Sequence, residues 1–241
     1  MNESFFPLND VSHRTLCVKK NTHFAQAREQ HLIPITVDEV ADAATEFPVV
    51  LVKNSNIGGF TLVTIMALQA STNLYCNSNN LETFKGVYAP RVLRIYPLSL
   101  KGSSDSDQME VCIQNDSSLL SETDGQPLFD EKGEQTLFLQ QQIKQLMLHS
   151  EQQPITEAFI TLLLEHELLH AQKVAISLGE NNNISFDGIY TIDTAKLESL
   201  DDATYLKLRK TGALQVIYAM QQSLKQINRL ARLTKQATAS L

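Results

Sequence analysis

The spacing of hydrophobic and polar positions changes about halfway along the chain. From His13 to about Asn115, short apolar runs alternate with turn residues, which is the pattern of strands. This pattern predicts strands at Thr15–Val18, Phe47–Lys53, Phe60–Ala70, Asn73–Cys76, Val92–Leu98 and Glu110–Gln114. Thr36–Thr45 is predicted to form a short helix, with Thr36 and Glu39 as a capping box. Asn54–Gly59 is predicted to be a hairpin connection.

From Glu134 onward the apolar residues recur at helical intervals. The predicted helices are Gln135–His149, Thr156–Ala175 after Pro154, and about Asp202–Lys235 with a kink at Gly212; Ile184–Tyr190 adds a short strand. Strands followed by helices indicate an α+β fold, in which helices from the C-terminal half pack on a largely antiparallel sheet from the N-terminal half. We expect one domain over residues 1–241.

Composition is that of a soluble globular protein, because 43% of the 241 residues are hydrophobic and 20% are charged. The longest apolar run, Phe60–Leu68, is too short to span a membrane. The N-terminal residues lack a basic region followed by an apolar one, so no classical signal peptide is predicted. The three cysteines form no CxxC pair and are interpreted as reduced thiols. We therefore expect a cytoplasmic protein.

Charge is distributed unevenly along the chain. The formal net charge is −7, yet no acidic residue follows Asp202, whereas seven basic residues do. Two interpretations remain open: an interaction surface for an acidic protein partner, or a basic helix that lies on the acidic body of its own domain. Nucleic-acid binding is not predicted, because the chain is acidic overall and few aromatic residues accompany the basic ones.

The segment Gly86–Leu100 carries the best candidate for a polar site. Arg91 and Arg94 stand three residues apart in an apolar and aromatic run, and arginine is rarely buried without a partner. One interpretation is recognition of a small anionic ligand or a carboxylate by the guanidinium groups. The other is an internal ion pair, for instance with Asp116 or Glu110. The predicted binding residues are Tyr88, Arg91, Arg94, Tyr96 and Asp116.

A second motif, HELLH at 166–170, matches the HExxH pattern of zinc hydrolases. On a helix, His166 and His170 would share a face and could bind zinc while Glu167 activates water. A catalytic site needs a third protein ligand, and the available Glu180 and Glu198 lie in no recognisable motif. The alternative is an amphipathic helix surface that carries two incidental histidines.

Several short motifs, in this order along the chain, resemble the SapC family of bacterial surface-layer-associated proteins. They are His13–Val18, Pro34–Glu39, the EFPVV of residues 46–50, the Tyr-x-Pro-x-x-x-Arg-x-Tyr-Pro pattern of residues 88–97, Val111–Ser117, Gly125–Phe129, Gly188 and Gly212–Ser223. One departure is Phe84, which stands where members often have tryptophan.

The resemblance implies a role rather than a reaction. SapC-like proteins are associated with surface-layer export loci, and many lie beside genes for TonB-dependent outer-membrane receptors, flavin-dependent tryptophan halogenases and cupin-like proteins. The resemblance supplies no catalytic residues and no cofactor. It implies an accessory or binding protein whose partner is another protein or a small anionic ligand. Two other hypotheses remain: the zinc hydrolase, and a surface component exported through a dedicated C-terminal signal.

Overall fold

The structure is a computed structural model that describes residues 5–54, 58–76, 83–102, 109–177 and 183–239. Its strands are β1 Phe5–Pro7, β2 Cys17–Val18, β3 Leu32–Pro34, β4 Val49–Lys53, β5 Phe60–Ile65, β6 Leu98–Gly102, β7 Met109–Gln114, β8 Leu120–Ser121, β9 Gln126–Pro127, β10 Leu169–Ser177 and β11 Asn183–Ile192. Its α-helices are α1 Val40–Ala43, α2 Arg91–Arg94, α3 Leu137–Glu165, α4 Thr194–Glu198, α5 Asp202–Lys210, α6 Ala213–Ser223 and α7 Ile227–Ala239. Short 3-10 turns cover Ala25–Ala27, Val37–Glu39 and Leu224–Gln226.

The chain packs as two compact units. The first comprises Met1–Thr22 and Arg91–Glu151, and the second comprises His23–Pro90 and Gln152–Leu241. The first unit has two three-stranded antiparallel sheets, ordered β1-β7-β6 and β8-β2-β9. Its core joins strand residues to α3 through the buried Val18, Ile95, Leu98, Ile113, Leu128, Phe129, Leu139 and Leu146.

The second unit is organised around a five-stranded antiparallel sheet with the order β10-β11-β4-β5-β3. The central strand β4 begins with the buried residues Val49, Val50 and Leu51. Helix α6 is hydrogen-bonded to this strand, because Val49 N donates to Ser223 Oγ at 2.9 Å. The α+β prediction, with antiparallel sheets and C-terminal helices, is therefore confirmed.

Two local predictions in the N-terminal half are confirmed. Thr36 and Glu39 form the predicted capping box, with Thr36 N donating to Glu39 Oε2 at 3.1 Å. Strands β4 and β5 pair as an antiparallel hairpin, and Lys53 and Phe60 form the pair next to the connection. Residues 55–57 of the predicted connection lie outside the described residues. The capping box depends on residues three apart in sequence, where side-chain chemistry determines the geometry directly.

Other boundaries differ from the predictions. Residues 73–76 form a loop, and the predicted strand Val92–Leu98 is replaced by helix α2, followed by β6 from Leu98. Helix α3 continues through the exposed Pro154, so the first two predicted helices are one. The predicted final helix is interrupted after α5, because Gly212 adopts a φ of 78° that no right-handed helix contains.

The largest correction concerns residues 166–175, which were predicted to be helical. Helix α3 ends at Glu165, and Glu167 follows in the left-handed region with a φ of 50°. Leu168 N donates to Leu163 O at 2.8 Å and Glu167 N donates to Leu164 O at 3.0 Å, which together form a Schellman C-cap. The chain then turns into β10, which pairs with β11 from Leu169–Ile192 to Ser177–Asn183.

Candidate functional site

The predicted arginines lie on α2, a single turn of helix in the first unit, and they differ in burial. Arg91 is 5% exposed, whereas Arg94 is exposed. Leu93 and Ile95 are buried in the same segment, and Ile95 N donates to Arg91 O at 3.0 Å. The buried side chains therefore anchor the segment, and Arg94 is the exposed residue of the two arginines.

Tyr96 and Asp116 belong to the same unit as the arginines. Tyr96 is half-buried and precedes Pro97 through a cis peptide bond. Gln114 N donates to Pro97 O at 3.0 Å, so the end of the arginine segment lies beside the turn that carries Asp116. Asp116 itself is exposed, as is Glu110. Asp116 and Glu110 thus differ in burial from Arg91.

Tyr88, the fifth predicted binding residue, belongs to the second unit and has a different role there. Its hydroxyl donates to Glu39 Oε1 at 2.6 Å, and Glu39 is only 2% exposed. The preceding residue, Val87, donates its backbone N–H to Glu46 Oε1 at 2.8 Å. Two buried glutamates therefore hold consecutive residues of this segment. Sequence reasoning missed Glu46 because its contact spans 41 positions along the chain.

The two oxygen atoms of the Glu46 carboxylate differ in their hydrogen bonding. Oε1 accepts from Val87 N and lies 3.8 Å from Arg229 Nη1, and the Arg229 guanidinium lies over the Tyr75 ring at 5.5 Å. Oε2 is buried and has no hydrogen-bond partner within the described ranges. A Cβ atom added to Gly86 would lie 2.6 Å from Oε2. Glycine at position 86 therefore permits the close approach of the chain to this carboxylate.

The HELLH motif does not have the geometry of a zincin. His166 follows the end of α3, whereas His170 lies in β10, so the two histidines do not occupy one helical face. Lys196 Nζ lies 2.5 Å from Glu167 Oε2, and this hydrogen bond lowers the pKa of the Glu167 carboxyl, which makes it a weaker base. The helical premise of the zinc hypothesis is therefore wrong.

Two residues were proposed as a third zinc ligand, and the structure describes one of them. Glu198 ends α4, and Glu180 lies outside the described residues. Across the ranges that the structure describes, no group of three or more histidine, cysteine, aspartate or glutamate side chains is arranged to hold a metal ion. His170 instead has neighbours within its own hairpin, with Gln172 Oε1 at 3.0 Å and Thr191 Oγ1 at 3.3 Å from Nε2.

Comparison with known proteins gives the class of this chain. The fold is α+β, and the family model described as SapC matches residues 8–230. The chain therefore belongs to the SapC family. No curated protein and no solved structure matches it. Within the described residues, none of the helices has the length and hydropathy needed to cross a bilayer.

Proposed function

We propose that this SapC-family protein acts by binding, as an accessory protein of surface-layer or TonB-dependent outer-membrane uptake systems, and that it works in the cytoplasm. Membership of the family supports this assignment, because the associations implied by the SapC resemblance concern those systems. The partner is a protein of such a system, contacted through a carboxylate or another anionic group. The proposal assigns no catalytic step to the chain.

The exposed position of Arg94 on an ordered helical turn is the observation that supports the binding role. Arg94 lies on a helical turn whose neighbours Arg91 and Leu93 are buried, so its backbone is held in place before any partner arrives. A planar guanidinium binds carboxylates and phosphates through paired hydrogen bonds. Because the anchoring residues are already ordered, binding at Arg94 loses less conformational entropy than binding to a mobile loop would.

The experiment is isolation of the tagged full-length protein, after mild cross-linking, from the bacterium that encodes it. Mass spectrometry would compare wild type with Arg94→Ala and with Lys132→Ala, an exposed cation of the same unit. We expect wild type and Lys132→Ala to enrich a surface-layer export or TonB-dependent uptake component. Arg94→Ala should reduce that enrichment by about tenfold, the effect of losing one charge-assisted contact. Equal enrichment by all three proteins, or enrichment of unrelated components only, would contradict the proposal.

A further inference from the structure

A groove in the second unit has the size of a small-molecule site. It has a volume of about 330 Å³ and lies between the later part of α3 and the start of α6. Its walls include Ile155, Ala158, Phe159 and Leu162 from α3, and Ala213 and Val216 from α6. This volume is at the lower end of the roughly 300–1,000 Å³ typical of ligand pockets. The groove therefore suits one narrow apolar chain rather than a bulky ligand.

A hydrogen bond and buried side chains hold the walls of the groove in place. Val37, which closes one side, donates its N–H to Thr156 Oγ1 at 3.0 Å, and Thr156 is 5% exposed. Phe159 and Ala213 are buried, whereas Ile155 at the rim is 51% exposed. The groove therefore exposes apolar surface between ordered walls. Burial of an apolar chain there is favourable, because it removes that surface from water.

The α5–α6 end of the groove is flanked by basic residues. Thr211 and Gly212 line it, and the exposed Lys207, Arg209 and Lys210 lie in the last turn of α5, which ends just before them. The C-terminal end of α5 and the N-terminal end of α6 meet at Thr211 and Gly212, so their helix dipoles oppose each other there and the basic side chains supply the positive charge. Asp38 and Glu157 are the acidic neighbours of the other walls, and the Asp38 carboxylate accepts from Thr36 Oγ1. The charge is thus positive at one end and mixed elsewhere.

We propose that this groove binds a single-chain amphiphile with a terminal carboxylate. The acyl chain would lie between α3 and α6, against Ala158 and Phe159. The carboxylate would lie at the Gly212 end, where the basic last turn of α5 complements its charge. The small volume favours this ligand over an acidic amphipathic helix, which needs a longer groove for several side chains. The site does not depend on the function proposed for Arg94.

Titration calorimetry of the full chain with monomeric dodecanoate tests the proposal. We expect one molecule to bind per chain, and dodecyltrimethylammonium, with the same alkyl chain and the opposite charge, to bind at least about tenfold more weakly. Equal binding of the two compounds would overturn the assignment of a carboxylate. Binding of an acidic amphipathic peptide without binding of dodecanoate would identify the groove as a protein-docking surface and overturn the proposal.

Matched variants locate the binding. Ala158→Trp fills the groove from an exposed helix position and should weaken dodecanoate binding by about tenfold or more, whereas Ala195→Trp, also exposed on a helix, should not. Lys210→Glu should weaken binding several-fold, and Lys235→Glu, an exposed lysine on α7, should leave it unchanged. Circular dichroism confirms that each variant is folded. Undiminished binding by a folded Ala158→Trp variant would place the ligand elsewhere and overturn the proposal.

Discussion

Glu39 and Glu46 lie on either side of α1 and are buried to nearly the same extent, at 2% and 5% exposure, yet their carboxylates are satisfied differently. Glu39 accepts from Thr36 N through one oxygen and from the Tyr88 hydroxyl through the other. Glu46 accepts from Val87 N through Oε1, and its Oε2 has no hydrogen-bond partner in the described part of the chain. Burial alone therefore does not predict what a buried charge contributes, because the bonding of each oxygen decides it.

The two glutamates together explain how the start of the Gly86–Leu100 segment is held. They bind neighbouring residues, Val87 through its backbone and Tyr88 through its side chain. Val87 is 98% exposed, so the backbone contact, not apolar packing, fixes this residue. We therefore expect substitutions around the two carboxylates to reveal how strongly each one stabilises the second unit.

The largest effect is expected for Glu39→Ala. The substitution removes the acceptors of Thr36 N and of the Tyr88 hydroxyl, and Thr36 is 0% exposed. Loss of these two hydrogen bonds to a buried carboxylate should lower the free energy of unfolding by about 3 kcal/mol. Urea unfolding followed by circular dichroism measures this, since the chain has no tryptophan. Asp42→Ala, an exposed acid on α1, is the control, and an equal loss in both variants would contradict the prediction.

Gly86→Ala is expected to have the next largest effect. The new methyl group would lie 2.6 Å from Glu46 Oε2 and 2.5 Å from Phe84 Cε1, so either the side chains or the segment must move. Such overpacking should cost about 2 kcal/mol. Gly102→Ala is the control, because no atom lies within 4 Å of its added Cβ. In a Glu46→Ala background the cost should be smaller, and an unchanged cost would show that Oε2 is not the obstacle.

Alkaline pH should lower the free energy of unfolding through Tyr75 and Cys76, which lie in the loop that contacts Glu46. Burial raises the pKa of the Cys76 thiol to about 12 from 9.0, and that of Tyr75 to about 12 from 10.0. The unfolded chain releases these protons at the lower values, so between those values and about 12 the folded chain binds more protons and stability falls as pH rises. Cys76 should account for about 1 kcal/mol of loss between about pH 8 and pH 10.

Unfolding at several pH values checks this prediction with two cysteine variants. Cys76→Ala should reduce the decline in stability above about pH 9, because the buried thiol that causes it is gone. Cys17→Ala removes a half-exposed thiol from the other unit and serves as the control. A decline that is equally steep in Cys76→Ala and wild type would show that another group causes it.

The sequence predicts local features better than distant ones in this chain. The capping box of Thr36 and Glu39 is recognisable because its partners are three residues apart. The end of α3 is not recognisable from the sequence. Position 167, which adopts the left-handed conformation, is a glutamate and not the glycine that usually marks the end of a helix. The short α2 is also unpredictable, since the apolar residues of Val92–Leu98 suit a strand as well as one helical turn in a core.

In the candidate site, too, the features that depend on nearby residues are predictable and the contacts between distant residues are not. The spacing of Arg91 and Arg94 identifies both residues, but only the fold shows that one is buried and the other exposed. Tyr88 is recognisable as part of the segment, whereas its partner Glu39 lies 49 positions away. Contacts at such distances arise from packing of the whole unit, which no local pattern of residues encodes.

Glu46→Gln is expected to have the smallest effect, and it completes the comparison with Glu39. The amide oxygen can still accept from Val87 N, and the amide nitrogen would replace Oε2, which has no partner in the described ranges. Loss of the attraction to Arg229, at 3.8 Å, is offset by removal of a buried charge, so stability should change by less than about 1 kcal/mol. Glu39→Gln is the matched variant, and it should cost about 2 kcal/mol because the amide replaces one of two accepting oxygens. If Glu46→Gln proves the more destabilising of the two, the attraction to Arg229 outweighs the unsatisfied oxygen, and hydrogen-bond satisfaction is not what distinguishes the two glutamates.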